Sequence, residues 1–565
     1  MNNNFDARAE ALIEKALGLL SRKTQLNTFW QQIAYNFYPQ RAYFTRLDPF
    51  PYGRDFASNL TTSFPILVAS EYANAISSYL RPSGQQWFEI DVAYRNKDTD
   101  LDNESKKWLE WATQVQYNFI QDRESGFSMA VDQGDADFAV FGQSAISIEI
   151  DWKKKNILHR CWNLRDLAWT QGANGIIDFV VREWRTTVNN AYQFFGDKLC
   201  ANTLRRKGKE GDSELIIHHI VLRTEDFYEL FSTAETTKRD IKQPFVSLYL
   251  EVGEKHTIEQ VGSPTIIYFI PRDQVVSGSQ YAYSRAVVAA LPDARLLQSI
   301  TLSLLEAGEK TVNPPIITFE NSVRDDISLA ANTLNYLAYN EGQRIDDVVK
   351  VMNLDKSGLQ YGLTMQESIR AGQKDAFMLN KLQLPVFDRE MTATEVRRRY
   401  QDWIRNAAPF VDRLQIEYNQ VLCKMQFETL KYVGAFGPVD YMPEELRQDL
   451  ARGNVAFKFK NPLLEAKEEE KMQKFIEMTG LIANNAAIDP DLTFLPNLDL
   501  ALRDVFDGSN IPAKWLNDEG KVEVMKQQKQ QAAQAQQLLS NLAAGGVAAQ
   551  EIGKGAQSIQ QAGLV

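Results

Sequence analysis

Hydrophobic positions recur every three to four residues through most of the first 140 positions. Leu12, Ile13, Ala16, Leu17 and Leu20 predict an amphipathic helix over 8–20. Phe29, Ile33 and Phe37 predict a second, which Pro39 stops. Residues 63–80, 104–121 and 127–141 read as three more, with Trp108, Trp111, Val115 and Phe119 on one stripe. A short strand, "QQWFEIDVA", lies between the first two of these. The period drops to two at residue 143. In "SAISIEIDW", Ile146, Ile148 and Ile150 alternate with Ser147, Glu149 and Asp151, as a strand with two unlike faces requires. "ILHRCWNL", "IIDFVVREW", "LIIHHIVLR", "FVSLYLEVG", "HTIEQVG" and "TIIYFIP" continue in kind, with "AYQFFGDKLC" a helix among them. Residues 143–271 are therefore an α+β region with a mainly antiparallel sheet.

Helical periodicity returns at 284–312. Pro292 marks a break and suits the first turn of a helix that buries Leu296, Leu297, Ile300, Leu304 and Leu305. Residues 316–362 are irregular, with a small β element around "DDVVKVMNL". A second helix covers 363–379, and 380–391 form a loop. In "MTATEVRRR", Thr392 and Glu395 sit at capping-box spacing and open a long helix to about 434. Pro409 inside it predicts a kink near 405–409. Shorter helices follow at 443–451, 464–484 and 498–506. Beyond 526 the chain is rich in Gln and Ala, a tail ordered against neighbouring copies or left disordered. The fold class is α+β, predominantly helical.

Charge and composition then narrow the function. The chain has 565 residues and a net charge of −11, which argues against tight wrapping of phosphate backbones. Three cysteines without a C-x-x-C pair point to reduced folding. No signal pattern opens the chain, and no run of eighteen apolar residues predicts a membrane span. There is no phosphate loop, and "KGKEGD" at 207–212 reads as a turn. His218 and His219 are neighbours on a strand and face opposite ways, so surface or sheet-face roles are favoured over a metal site. His159 and Cys161 share a strand face, but a packed thiol and an edge imidazole are favoured over a nucleophilic pair. The runs at 102–104 and 465–471 read as solvated acids. Arg397, Arg398 and Arg399 fan around a helix, either solvated or paired with Glu395 and Asp402. No catalytic residue, metal site or cofactor is expected.

Taken in order, several motifs resemble one family. "YAYSRAVVAALPDARLLQSITLSLLEAGEKTVNPPI", "MTATEVRRR", "FWQQIAYNFYPQRAYF" followed by "SYLRPSGQQWFEI", and "GSNIPAKWL" look like segments of portal proteins, the head-to-tail connectors of short-tailed bacteriophages. The resemblance covers most of residues 20–520. It implies a portal fold assembling as a closed ring, usually of twelve copies, at one vertex of a virion capsid, after folding in the host cytoplasm. It implies a wing over 1–288, stem helices at 289–312 and 363–379, a clip between them, and a channel loop at 380–391. The long helix would span the wing, 435–525 would form the crown, and 526–565 a barrel helix or disordered tail. Implied partners are the major capsid and scaffolding proteins, the terminase large subunit, a tail adaptor, and double-stranded DNA passing without sequence preference. Arg370, Lys374, Lys381 and Arg389 are the DNA-channel candidates by location. The rival readings are another oligomeric virion core or adaptor protein and a hydrolase.

Overall fold

In this computed structural model, residues 2–45, 56, 60–82, 84–92, 103–152, 154–230, 241–312, 316–318, 349–351, 357–382, 393–451, 453–460 and 462–485 are described, with short helical pieces between 501 and 534. The chain is a helix-rich α+β protein. Met1–Glu89, Thr113–Gly437 and Ala456–Leu463 form one compact unit. Ile90–Ala112, Pro438–Val455 and Leu464–Val565 form a second, in which helix Glu444–Ala451 buries Leu446 and Leu450.

The larger unit begins with helices Asn2–Arg22 and Thr24–Phe37, then Phe64–Leu80. Strand β1 is Phe88–Val92. Helices Asn103–Gln121 and Phe127–Phe141 follow. Gly142 then turns the chain at φ 76°. A Cβ there would lie 2.2 Å from the backbone of Tyr283, so only glycine fits this approach. Past it run β2 (Ile146–Asp151) and β3 (Asn156–Cys161), which pair antiparallel with Ile148 opposite His159.

The main sheet is a five-stranded antiparallel meander. Its strands, in spatial and chain order, are β4 (Leu167–Gln171), β5 (Ile177–Thr187), β6 (Glu214–Arg223), β7 (Phe245–Glu251) and β8 (His256–Ser263). A ninth strand, β9 (Tyr268–Phe269), joins β2. One face of the meander packs on Leu12, Ile13 and Ala16 of the first helix. The other packs on Val188, Ala191 and Leu199, from helix Val188–Phe195 and the turn after it. With both faces covered, β6 reads as a nearly unbroken apolar run rather than an alternation. His218 and His219 are therefore both buried, rather than at the surface. β4, helix Ala201–Arg206 and helix Thr224–Glu229 are too short or too mixed to stand out in the sequence.

The expected break at Pro292 is absent. Helix Arg285–Val312 runs through the proline. Ala286, Val287, Ala290, Leu291, Ala294 and Leu297 are all buried, and their packing outweighs one lost backbone bond. By length and composition this helix is also long and apolar enough to cross a bilayer, which the sequence reading did not expect. Its first half is a core helix of the larger unit. The long helix starts at Ala393, and Pro409 lies inside its first segment, Ala393–Leu414. The departure from α-geometry falls later, in a π-helical segment Gln415–Gln420, before the rod continues as Val421–Val433.

Candidate functional site

The feature that stands apart from the packed core is a helical hairpin. Ser284 opens it: its Oγ accepts from the Val287 amide at 3.4 Å and donates to the Ala139 carbonyl at 2.7 Å. Asp273 adds a second tie, accepting from the Arg285 backbone amide at 3.0 Å and from its guanidinium at 2.9 Å. Tyr281, the aromatic of the same motif, packs on Trp169 with ring centroids 4.6 Å apart. Helix Arg285–Val312 leaves the core from this anchor and helix Ser357–Ala376 returns alongside it.

The pair is antiparallel. Thr301 meets Gln366 through a 2.9 Å hydrogen bond, and Leu304 sits against Gly362. A Cβ on Gly362 would come within 2.7 Å of a Leu304 methyl, so the glycine sets how closely the helices approach. At the far end, Ile316–Thr318 pairs antiparallel with Val349–Val351, closing the hairpin with a two-stranded ribbon. The return helix is fixed at its base by Phe377, Leu379 and Leu382, all buried. Phe377 packs tilted against Phe37 and edge-on against Tyr72, and the Tyr79 hydroxyl donates to the Leu382 carbonyl. The loop expected at 380–391 is helical at its start, in Leu379–Leu382, and the rest of it lies outside the described residues, with Arg389 and Thr392.

Only one side of the hairpin is covered within the chain. Leu297 is fully buried and Ile300 and Leu304 partly so. Leu296 is 40% exposed and Leu305 60%, so this single chain does not bury them as the sequence reading expected. Leu302, Val312, Tyr361 and Leu363 are exposed with them. The two hairpin helices each carry no net charge. Arg285, Arg295 and Lys310 balance Asp293, Glu306 and Glu309 on one helix; Arg370 and Lys374 balance Glu367 and Asp375 on the other.

The basic candidates separate into two kinds. Lys374 and Lys381 are exposed. Arg370 is half-buried, its guanidinium 5.4 Å from the Phe64 ring and its Nε without a hydrogen-bond partner. Of the arginine triplet, Arg398 and Arg399 are exposed, and Arg399 pairs with Glu395 at 3.5 Å across one turn. Asp402 pairs instead with Arg405 at 3.8 Å.

Among the described residues, the histidines and cysteine weighed for chemistry have packing or hydrogen-bond partners. His159 lies between the Ser125 carbonyl at 3.3 Å and the Gln426 amide at 3.0 Å, and burial lowers its pKa to about 4. Cys161 lies beside the Arg41–Asp137 ion pair; burial, then the Asp137 charge, pushes its thiol well up, the opposite of an activated nucleophile. His219 is held between Tyr268 and Ser247 and stacks on Tyr249 at 4.1 Å, while His218 faces Glu183 at 3.5 Å. Burial, then Arg182, drives the His219 pKa well below its ordinary value. Among the described residues no group of three or more His, Cys, Asp or Glu could hold a metal. The sequence reading missed two buried polar devices: Lys23, whose ammonium donates to the carbonyls of Leu164, Arg165 and Leu167, and the Arg81–Asp135 pair. Neither has a sequence signal, because each joins residues far apart in the chain.

These features describe an α+β protein with a helical hairpin whose apolar side chains are only partly covered within the chain. Residues 9–516 match the family of bacteriophage head to tail connecting proteins, and the chain belongs to that family. Among curated relatives, a probable portal protein of Bordetella phage BPP-1 is 25% identical over 495 residues, covering 85% of this chain and 83% of that protein. Among solved structures, chains from the virion of a native gene transfer agent particle and from the neck of an empty one overlap it at TM-scores of 0.34 and 0.35. Both are 9% identical and cover 79% of this chain and 94% of their own.

Proposed function

We propose that this chain is the portal subunit of a virion. It assembles as a closed ring at one capsid vertex, passes double-stranded DNA through the ring, receives the packaging terminase, and seats a tail adaptor. Membership of the connector family supports this, and one observation carries it in the chain itself. The hairpin exposes Leu296 and Leu305, about 180° apart around one helix, with Leu302 between them and Tyr361 on the return helix, so apolar side chains stand on more than one flank. In a cyclic ring each hairpin packs between two neighbours through unlike faces, which covers both flanks. The zero net charge of the two hairpin helices suits a channel wall, since a lysine-rich wall would hold DNA with steep salt dependence. Exposed Lys374 and Lys381 then act as scattered cationic points, with Arg389 in the adjoining loop; Arg370, stacked on Phe64, is a weaker candidate.

In this reading residues 1–288 form the wing, the hairpin helices the stem, the ribbon-closed segment between them the clip, and the residues after 435 the crown. The ring has twelve copies, and at 64.4 kDa per chain its mass is about 770 kDa. Light scattering on the purified chain tests the assembly. Leu302→Glu with Leu305→Glu should shift the large species to the mass of one chain while the thermal unfolding of that chain persists. A chain that is monomeric before mutation defeats the reading.

A further inference from the structure

The rod formed by residues 393–433 changes its winding once, at Gln415–Gln420. A π turn holds an extra residue and forms poor hydrogen bonds, so it persists only where its surroundings demand it. Here they do. Buried neighbours come in pairs spaced by four, Leu414 with Gln415, Tyr418 with Asn419 and Leu422 with Cys423, where an α-helix would drift off the face. The middle pair is clamped. Tyr418 donates its hydroxyl to Asp135 Oδ1 at 2.7 Å. Asp135 Oδ2 accepts from Arg81, whose guanidinium lies 4.9 Å from the Tyr418 ring and donates to Asn419 Oδ1 at 3.2 Å. Asn419 Nδ2 donates to the Leu80 carbonyl at 2.7 Å.

A second observation points to strain in this arrangement. Gln415 Nε2, inside the segment, and Gln426 Oε1, just beyond it, are buried without hydrogen-bond partners. Such groups are costly to leave unsatisfied, and another packing of the rod could relieve them. The rod's upstream part is also tied to the hairpin. Arg413 donates to the Asp273 carbonyl at 2.6 Å, and the Asp273 carboxylate holds the first amide of helix Arg285–Val312.

We infer that Gln415–Gln420 is a two-state joint, in which the clamp of Arg81, Asp135, Tyr418 and Asn419 selects the π form over a continuous α-helix. In the α form the extra residue is absorbed. Residues 393–414 then turn by one position, about 100°, relative to the anchored segment 421–433. That turn carries Arg413 away from Asp273 and loosens the start of the hairpin. The joint is a property of this chain whether or not the chain forms a portal ring.

Hydrogen–deuterium exchange on the full-length chain tests it. Tyr418→Phe keeps the ring in the core and removes only its hydroxyl. It should speed exchange of the amides in 405–420 roughly tenfold, with 421–433 and the main sheet unchanged. Deleting Ile416, an exposed residue of the π segment, removes the extra position. It should slow exchange at 414–420 and free the Asp273 backbone. Exchange that is unchanged in Tyr418→Phe, or faster throughout the chain, overturns the joint. If the deletion fails to fold, the Tyr418→Phe comparison alone decides.

Discussion

At the residue scale the larger unit stores titratable groups in neutral or strained form. His159 and His219 are buried with pKa values below 6.5, His159 at about 4. The unfolded chain binds their protons first, so stability falls as pH drops from 6.5 toward 4. His159→Gln, which can still meet Gln426, should flatten that slope in chemical denaturation at stepped pH. A slope as steep as the parent's contradicts the assignment. Lys23 works in the other range. Burial lowers its pKa to about 7, opposed by Asp166. Between pH 7 and 10.5 the unfolded chain holds a proton that the folded chain has shed, so stability rises with pH across that window. Lys23→Met should abolish the rise in the same experiment. Part of this was legible. Adjacent histidines on a strand had to part, and His159 with Cys161 had to share a face. Their burial was not legible, because it depends on which elements cover the sheet.

At the scale of elements, periodicity located most helices and strands, and packing decided where they end. Pro292 read as a helix start. Its helix instead begins at Arg285, behind a Ser284 cap that a bare "YAYS" does not announce. Pro409, read as a kink, lies inside a helical segment, and a change of winding that the sequence did not announce lies at Gln415–Gln420, where Tyr418 and Asn419 meet Asp135 and Arg81. The pairing of the ribbon strands Ile316–Thr318 and Val349–Val351, 30 residues apart, was legible only as a faint β element near the second of them. The hairpin's close approach hangs on a glycine that the sequence reading passed over. Gly362→Leu must displace Leu304 and should cost about 1–3 kcal/mol in thermal unfolding. Gly308→Ala, with open space around it in the chain, should instead gain about 0.5–1 kcal/mol. Equal effects at the two sites would show that the helices do not pack as described.

At the scale of the whole molecule, motif order indicated the family, and the exposed apolar side chains of the hairpin support the assembly proposed for it. A lone chain leaves Leu296, Leu302 and Leu305 in water, as it does Leu67, Met129, Trp152, Ile176 and Phe194 elsewhere in the larger unit. The net charge of −11 suits a body that DNA passes without adhering. Lys374→Glu with Lys381→Glu should leave assembly intact and lower DNA retention by the assembled particle, most at low salt. Unchanged retention at every salt concentration would remove those two lysines from the channel. The most direct measurement for the central claim is electron microscopy of the purified full-length chain. The expected result is end-on views of closed rings of one cyclic symmetry, with a central opening wide enough for a DNA duplex. A field of single chains, or of open filaments that never close, would contradict it.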